Sequence, residues 1–484
     1  KLANYVFAAE ILLRWDQVQG EESFYLQNLT RRSPDFTIRQ LANQIRTVRT
    51  KLSLLFSQEN ANSEALRNSL DQLDELEVKL SRHSRSYKQY LSVREFKLND
   101  VRFKLPSNSA LIALKIYHPF DFKEKQLKSP HYIALLMPAN RPIQLHDLGP
   151  IDKNIEILQS LKNDNVRIAS SLYQKLFGDW DEQLSQYDSI YIIPGHWFHL
   201  FNFERLILPD GRHWIERQPL HRLQTARDLI RPAPEQQGKG VIAVGGINYG
   251  EHQNLQLASL DDSYRNLVGQ LDNGFKPLKY SQKEVLQISE YFWHPNNNIQ
   301  PTLLLGRNAT EHHLKNLQHA PQILHLATHG FYLEDKQQLE RPMILSGLAL
   351  TGANAGIQGM KDQYGDDGIL YAIEAIDLNL EGTQLVTLSA CETGEGELDY
   401  SEGVYGLIRV FRIAGAQHIL MTLRKVGDEA AFQFMSEFYF RWFENGMFEN
   451  PAKALRETKL DFIRKGKPTD FWAPYVLVEM PNAS

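Results

Sequence analysis

Two short stretches carry residue types suited to covalent catalysis. Ile323-Leu-His-Leu-Ala-Thr-His329-Gly330 is an apolar run that ends in a histidine followed by glycine. Leu385-Val-Thr-Leu-Ser-Ala-Cys391-Glu-Thr-Gly394 is a second such run, ending in the chain's only cysteine, with a glycine three residues on. A thiol nucleophile needs a base or an imidazolium nearby to raise its thiolate content at neutral pH. Reactive groups in open α/β sheets collect just beyond the carboxyl ends of the strands. If the two runs are neighbouring strands, His329 and Cys391 face one cleft. The glycines let backbone approach a substrate closely and let N–H groups point at a developing oxyanion. A lone cysteine is by default a small buried hydrophobe. It is the strand end, matched by a second strand end with a histidine, that gives Cys391 its weight.

Other candidates read more simply. His325 lies four residues before His329 and, on a straight strand, on the same face, where a buried structural histidine is expected. His312, His313 and His319 cluster on a short helix, but no HExxH spacing or completing carboxylate accompanies them, so no metal is expected. Gly245-Gly246 follows a strand without a GxxxxGK[ST] or GxGxxG pattern and reads as a tight turn. Ser389 lacks a G-x-S-x-G setting. Glu392, Asp366 and Asp367 are either solvated loop carboxylates or the lining of a pocket for a basic side chain. Gly352–Asp367 is glycine-rich and polar, with the length of a mobile loop over the cleft.

The elements that must position these residues follow from periodicity. Ile38, Leu41, Ile45, Val48, Leu52 and Leu55 step by three and four, as do Leu66, Leu70, Leu73, Leu76 and Leu80. A polar stretch, Ser57 to Ser63, joins them, so an antiparallel helical hairpin is expected, with an earlier helix over Lys1 to Trp15. Strands are predicted at 110–117, 131–137, 142–146 and 189–193, and a helix at 155–177. Arg231 to Lys239 is rich in proline and polar residues and marks a boundary. Beyond it strands at 240–244, 323–327, 347–350, 384–390, 418–423 and 475–478 alternate with helices at 280–292, 310–317, near 404–411, at 427–445 and from Pro451 to about Gly466. Alternation of this kind predicts a three-layer α/β domain.

The chain has 484 residues, which predicts two or three domains. Hydrophobic residues make up 42% and charged residues 23%, ordinary for a soluble globular protein. The net charge of -5 gives no basic excess, so a dedicated nucleic-acid surface is not expected. No apolar run reaches membrane-spanning length and no secretory signal opens the sequence. A single cysteine allows no intrachain disulfide and no cysteine-rich zinc site, which points to the cytoplasm. Lys1 in place of a methionine suggests a trimmed chain with modules upstream.

His325-Leu-Ala-Thr-His-Gly330 and Leu388-Ser-Ala-Cys-Glu-Thr-Gly394 resemble the paired signature motifs of the CHAT family, caspase-like peptidases related to separases and often attached to tetratricopeptide repeats. The resemblance covers nearly the whole chain. It includes Thr225–Pro234, Ser346–Gly352, Asp367–Tyr371, Glu402–Val404, the C-terminal Phe471–Val478 and the upstream helices and strands. It implies a caspase-like α/β/α sandwich over 236–484, preceded by a non-catalytic α/β region over 101–235 and a helical hairpin over 1–100. The family's dyad falls on Cys391 and His329, with backbone N–H groups of Gly330 and Cys391 as oxyanion donors. Cys391 sulfur would attack a scissile carbonyl and His329 would protonate the departing amine.

Asp367, Glu392 and Arg424 are the candidates for the substrate pocket. No cofactor or metal is implied. The partners implied are a polypeptide substrate and a regulatory protein received by the N-terminal helices or by upstream repeats, with no membrane and no direct nucleic-acid contact. Where the family commonly has Leu-Trp-x-Val, this chain has Leu423-Arg424-Lys425-Val426, so Arg424 replaces the usual tryptophan near the cleft. The alternative to a peptidase is a catalytically silent scaffold of the same fold.

Overall fold

The computed structural model describes all residues except 1, 15–25, 27–28, 31–32, 34, 57–62, 85–86, 88–90, 92–95, 122, 152–165, 235, 251–273, 293–300, 333–345, 390–399, 444–449 and 482–484. The chain divides into two compact units. The larger comprises Lys1–Tyr5, Leu105–Gln224 and Pro232–Ser484; the smaller is Val6–Lys104 with Thr225–Arg231.

The smaller unit is helical. After α1 (Leu2–Arg14), whose first residues belong to the larger unit, come α2 (Phe36–Phe56) and α3 (Ser63–His83). The Asp35 carboxylate accepts the Thr37 N–H at 2.7 Å and so satisfies a donor that the start of α2 leaves free. The heptad positions Leu41, Ile45 and Val48 are buried against Leu76 and Leu80, with Ala42 and Tyr87 beside them. The helices of the hairpin thus pack along the predicted apolar stripes.

The larger unit is built on one eleven-stranded sheet of mixed direction. Its strands in chain order are β1 (Ser109–Tyr117), β4 (His131–Pro138), β5 (Gln144–Pro150), β6 (Ser189–Ile193), β7 (Leu220–Arg222), β8 (Val241–Ile247), β9 (Thr302–Gly306), β10 (Ile323–Ala327), β14 (Leu385–Ser389), β15 (His418–Thr422) and β16 (Tyr475–Val478). A two-residue hairpin, β2 (Phe120–Asp121) with β3 (Gln126–Leu127), and a small antiparallel sheet of β11 (Gly330–Tyr332), β12 (Ser346–Ala349) and β13 (Ile369–Tyr371) stand apart from it. The spatial order is β5-β4-β1-β6-β7-β16-β15-β14-β10-β8-β9.

Direction divides the sheet. β9, β8, β10, β14 and β15 are mutually parallel, and β1, β6, β7 and β16 are mutually parallel. β16 runs antiparallel to β15. The carboxyl ends of the two sets therefore open on opposite edges of one continuous sheet, and that sheet crosses the proline-rich stretch at 231–239. This stretch is bonded into the unit: Gly238 N–H donates to the Gly382 carbonyl at 2.8 Å and Lys239 N–H to that of Ala320 at 2.9 Å.

The helices packed around this sheet are α4 (Val166–Phe177), α5 (Ser281–Phe292), α6 (Glu311–Lys315), α7 (Tyr400–Ala414), α8 (Asp428–Phe443) and α9 (Pro451–Arg464). Every residue of β10, β14 and β15 is buried, which requires cover on both faces. Ile288 of α5, Phe434, Phe438 and Trp442 of α8, and Leu455 and Phe462 of α9 form one core with Ile323, Leu385 and Leu420. A second core joins β1, β4 and β6 to Leu172, Tyr173 and Leu176 of α4 and to Trp214. The fold is thus a mixed α/β sandwich around a largely parallel sheet.

Two details depart from the sequence reading. Gly245 and Gly246 lie inside β8, not in a turn after it. A bulge there brings the start of α5 close: a Cβ on Gly245 would stand 2.7 Å from the Ser281 carbonyl oxygen, and Gly246 takes a φ of +58°. The segment after Gly352 opens with a helical turn, Ala353–Gly356, in which Ala353, Asn354 and Gly356 are buried. An apolar start under a polar remainder gave it the composition of a loop.

Candidate active site

β10 and β14 are parallel neighbours, with Ile323 beside Leu385 and Ala327 beside Ser389. The count that leads from Ala327 to His329 leads from Ser389 to Cys391. β15 extends the series: its register places Leu385 beside His418 and Thr387 beside Leu420, so the same count beyond its end reaches Arg424. His329 and Arg424 thus follow the two strands that flank β14, all three of them parallel. Cys391 and Glu392 lie outside the described residues.

His329 is 1% exposed. Its Nε2–H donates to the Lys276 carbonyl at 2.6 Å. A carbonyl only accepts, so the neutral ring carries its proton on Nε2 and its lone pair on Nδ1. The rings of Tyr249 and Phe275 flank it at 5.1 and 5.7 Å between centroids. The chain that supplies the carbonyl is itself clamped. Asn354 Oδ1 accepts Phe275 N–H at 2.7 Å, and its Nδ2 donates to the carbonyls of Phe275 (3.1 Å) and Gly250 (2.9 Å). Thr328 pairs with the Tyr249 hydroxyl at 3.1 Å and donates to the Ala349 carbonyl, while Ala349 N–H donates to the His329 carbonyl at 2.9 Å. Both the ring and the backbone of His329 are held in place.

Behind it lies a buried polar chain. His325, fully buried, bonds through Nε2 to Glu284 Oε1 at 2.7 Å and through Nδ1 to the Tyr439 hydroxyl at 3.0 Å. That hydroxyl pairs with Thr387 Oγ1 at 2.8 Å. Burial drives the Tyr439 pKa upward, so it stays a neutral phenol. Asp428, at the start of α8, accepts the Tyr280 N–H at 2.8 Å. Burial raises its pKa, the Glu284 charge adds to the rise, and His329 opposes it. The expected structural role of His325 agrees with this arrangement, since both ring nitrogens are satisfied within the core.

The remaining candidates are placed as follows. Gly330 opens β11 and pairs with Leu348 of β12. Asp367 accepts the Ile369 N–H at 2.9 Å; burial raises its pKa, and it sits near a cluster centred on Lys315. Lys315 Nζ there meets Glu311 at 2.5 Å, Asp366 at 3.1 Å and Glu374 at 3.0 Å. Glu311 also accepts the Gly368 N–H at 2.7 Å, and burial pushes its pKa up to about 7. Arg424 pairs with Asp470, which leads into β16. His312 stacks on Tyr364 at 3.8 Å, and His313 bonds Thr310.

Sequence reasoning missed Glu284, Tyr439, Asp428 and Asn354. For Glu284 a signal existed: it stands four residues before Ile288, on the buried face of an amphipathic helix, where a carboxylate needs a partner. Asn354, in a run of small residues, gave none.

No curated protein matches the chain in sequence. Among solved structures it is similar to separase in two crystal structures of the Saccharomyces cerevisiae separase–securin complex. The first alignment has 11% identity and a TM-score of 0.40, covering 92% of this chain and 35% of that one. The second has 10% identity and a TM-score of 0.41, covering 94% and 34%. The chain thus spans about a third of the length of those separase chains. Residues 166–479, well over half of the sequence, match the family model of the CHAT domain. The chain belongs to the CHAT-domain family.

Proposed function

We propose that this protein is a cysteine endopeptidase of caspase-like type, with Cys391 as nucleophile and His329 as the group that exchanges protons with it. The observation that carries the reading is the register of β10 and β14, which runs the two strands side by side up to two residues before His329 and Cys391. His329 Nδ1 takes the Cys391 thiol proton, the thiolate attacks the scissile carbonyl and displaces the amine to form a thioester, and the proton on Nδ1 passes to that departing amine. Water then cleaves the thioester, giving its proton to the ring and releasing the new carboxylate. Backbone N–H groups of Gly330 and Cys391 receive the oxyanion. The Nε2–H to Lys276 bond favours this role for Nδ1 by fixing which nitrogen bears the lone pair.

Asp367, Glu392 and Arg424 are the proposed substrate-facing groups. A regulatory protein acting through the N-terminal helices gates the enzyme, which works in the cytoplasm. Functionally the chain falls into a helical segment at 1–100, a non-catalytic α/β region at 101–235 and a catalytic region at 236–484. No helix among the described residues is long and apolar enough to cross a membrane.

Because the chain has one thiol, iodoacetamide reports Cys391 alone. Fast labelling at neutral pH is expected, slowed about tenfold or more in His329→Ala. Cleavage of a peptide library should disappear in Cys391→Ala. Slow labelling indifferent to His329 identifies a silent scaffold instead, and cleavage that survives Cys391→Ala refutes the mechanism.

A further inference from the structure

Glu311 places a carboxyl group in the interior, 1% exposed, at the start of α6. Its two oxygens have separate partners. Oε1 accepts the Gly368 N–H at 2.7 Å, and Oε2 meets Lys315 Nζ at 2.5 Å. The same ammonium also meets Asp366 at 3.1 Å and Glu374, from the helical turn Ala372–Ala375, at 3.0 Å. Lys315 thus serves three carboxylates, and Asp367 stands close enough to add its charge.

The other polar groups of these segments have work elsewhere. Lys361 acts on Asp367, His312 stacks on Tyr364, and His313 bonds Thr310. Asp362 accepts the backbone N–H groups of Tyr364 and Asp366 at 2.8 and 3.0 Å. Two carboxylates on one ammonium are already an excess. Ionised Glu311 makes three, in a place where little water screens them. Burial, with the charges of Glu374 and Asp367, pushes its pKa up to about 7 against the pull of Lys315.

What Glu311 holds is a junction. Gly368 takes a φ of +79°, and a Cβ on it would stand 2.5 Å from the Ala353 nitrogen. Its carbonyl accepts the Leu350 N–H at 2.7 Å, so it is pinned from two sides. β13 begins one residue later, with Ile369 beside Ala349 of β12. Ala349 N–H donates to the His329 carbonyl at 2.9 Å, and β12 pairs with β11, which starts at Gly330. The bond from Glu311 to Gly368 therefore fastens the small sheet that borders the candidate active site.

We propose that this cluster is a proton-operated latch: neutral Glu311 holds Gly368 against α6, and loss of its proton as pH rises toward and through neutrality lets residues 366–374 come away. The neutral acid keeps one oxygen for the Gly368 N–H and leaves Lys315 to Asp366 and Glu374. Opening gives ionised Glu311 the water that it lacks when closed. The closed form thus binds the proton more tightly than the open form, and its advantage is lost as pH rises from about 4.5 toward 7. Any effect on substrate through Asp367 rests on the peptidase reading; the latch itself does not.

Hydrogen exchange of the full chain, read by mass spectrometry and corrected for the intrinsic pH dependence of exchange, reports the latch directly. Protection of residues 366–374 should fall about tenfold from pH 6 to pH 8, while that of β10 and β14 does not fall. Glu311→Gln, which has the shape of the neutral acid, should show no such fall. Because that change lies in a buried cluster, Glu374→Gln, at a carboxylate with 37% of its side chain exposed, is the second variant. With one charge fewer beside Glu311, its fall over the same range should shrink to about twofold. Level protection of 366–374 between pH 6 and pH 8 in the parent overturns the proposal. So does an equal fall in Glu311→Gln or, if that variant does not fold, an undiminished fall in Glu374→Gln.

Discussion

The two edges of the sheet place polar groups inside the protein in different ways. Around β10 and β14 they form a hydrogen-bonded chain: Glu284, His325, the Tyr439 hydroxyl and Thr387, with His329 held on a carbonyl just past β10. Around β7 and β16 they are charges set against charges, Lys459 with Glu204 and His221 with Glu479, while the Arg222 guanidinium rests on two carbonyls. A hydrogen-bonded chain fixes tautomers and ring orientation, which proton transfer requires. A cluster of ion pairs fixes a field instead. The two sets of strands thus bury polar groups by different means.

The largest expected effect follows from that contrast. Lys459 has no exposed side-chain surface, and burial lowers its pKa against the opposing pull of Glu204. Lys459→Met would leave the part-buried Glu204 with Asn202 but without its nearest cation, a loss of about 3 kcal/mol. Lys315, a quarter exposed, centres a second cluster with Glu311, Asp366 and Glu374. Lys315→Met should cost far less near neutral pH, because Glu311, with its pKa already pushed up to about 7, takes up a proton instead of staying charged. Urea midpoints of the two variants measure the difference. Equal losses would mean that the two clusters are built alike.

The sequence makes the first edge legible and the second opaque. β10, β14 and β15 are unbroken apolar runs, so their positions, and the strand ends that carry His329 and Cys391, follow from composition. β7 is three residues, Leu220-His221-Arg222, of which two are basic, and nothing local marks it as a strand. Lys459 sits at 0% exposure within α9, where a lysine would be assigned to solvent. Its partner is 255 residues away in the chain, and no spacing rule spans that separation. β9, at the far edge, was also missed. Glycines were misread where their reason is a neighbour, as at Gly245, packed on the Ser281 carbonyl. What the sequence hides are the contacts that only tertiary pairing creates.

A smaller effect separates the edges by pH. His418 opens β15 at the edge away from His329, and burial, with Arg412 and His221 nearby, lowers its pKa to about 3. In the unfolded chain it titrates near 6.5. Below that pH the unfolded chain binds a proton that the folded chain refuses, so stability is lost as pH falls from about 6.5 toward 3, by up to ~1.4 kcal/mol per pH unit. His418→Asn should flatten this slope and retain about 2 kcal/mol more of its own stability between pH 7 and pH 5 than the parent does. Parallel denaturation curves at the two pH values would show that His418 accepts a proton in place.

The smallest effect tests whether the first edge works as a positioning device. The three side-chain hydrogen bonds of Asn354 go to Gly250 and Phe275, and Phe275 precedes the carbonyl on which the imidazole rests. Asn354→Ala frees that segment. The thiol-labelling rate should fall about tenfold, equivalent to ~1.4 kcal/mol. A general loosening of the fold would also slow the reaction, so the change has to be made in two backgrounds. If Asn354 acts through the ring, then Asn354→Ala does nothing further once His329→Ala has removed the ring, and the two changes are strongly non-additive. If the same tenfold loss recurs without the imidazole, Asn354 supports the core and not the proton-transfer group. The chain of hydrogen bonds at this edge would then be packing, no different in kind from the charges at the other.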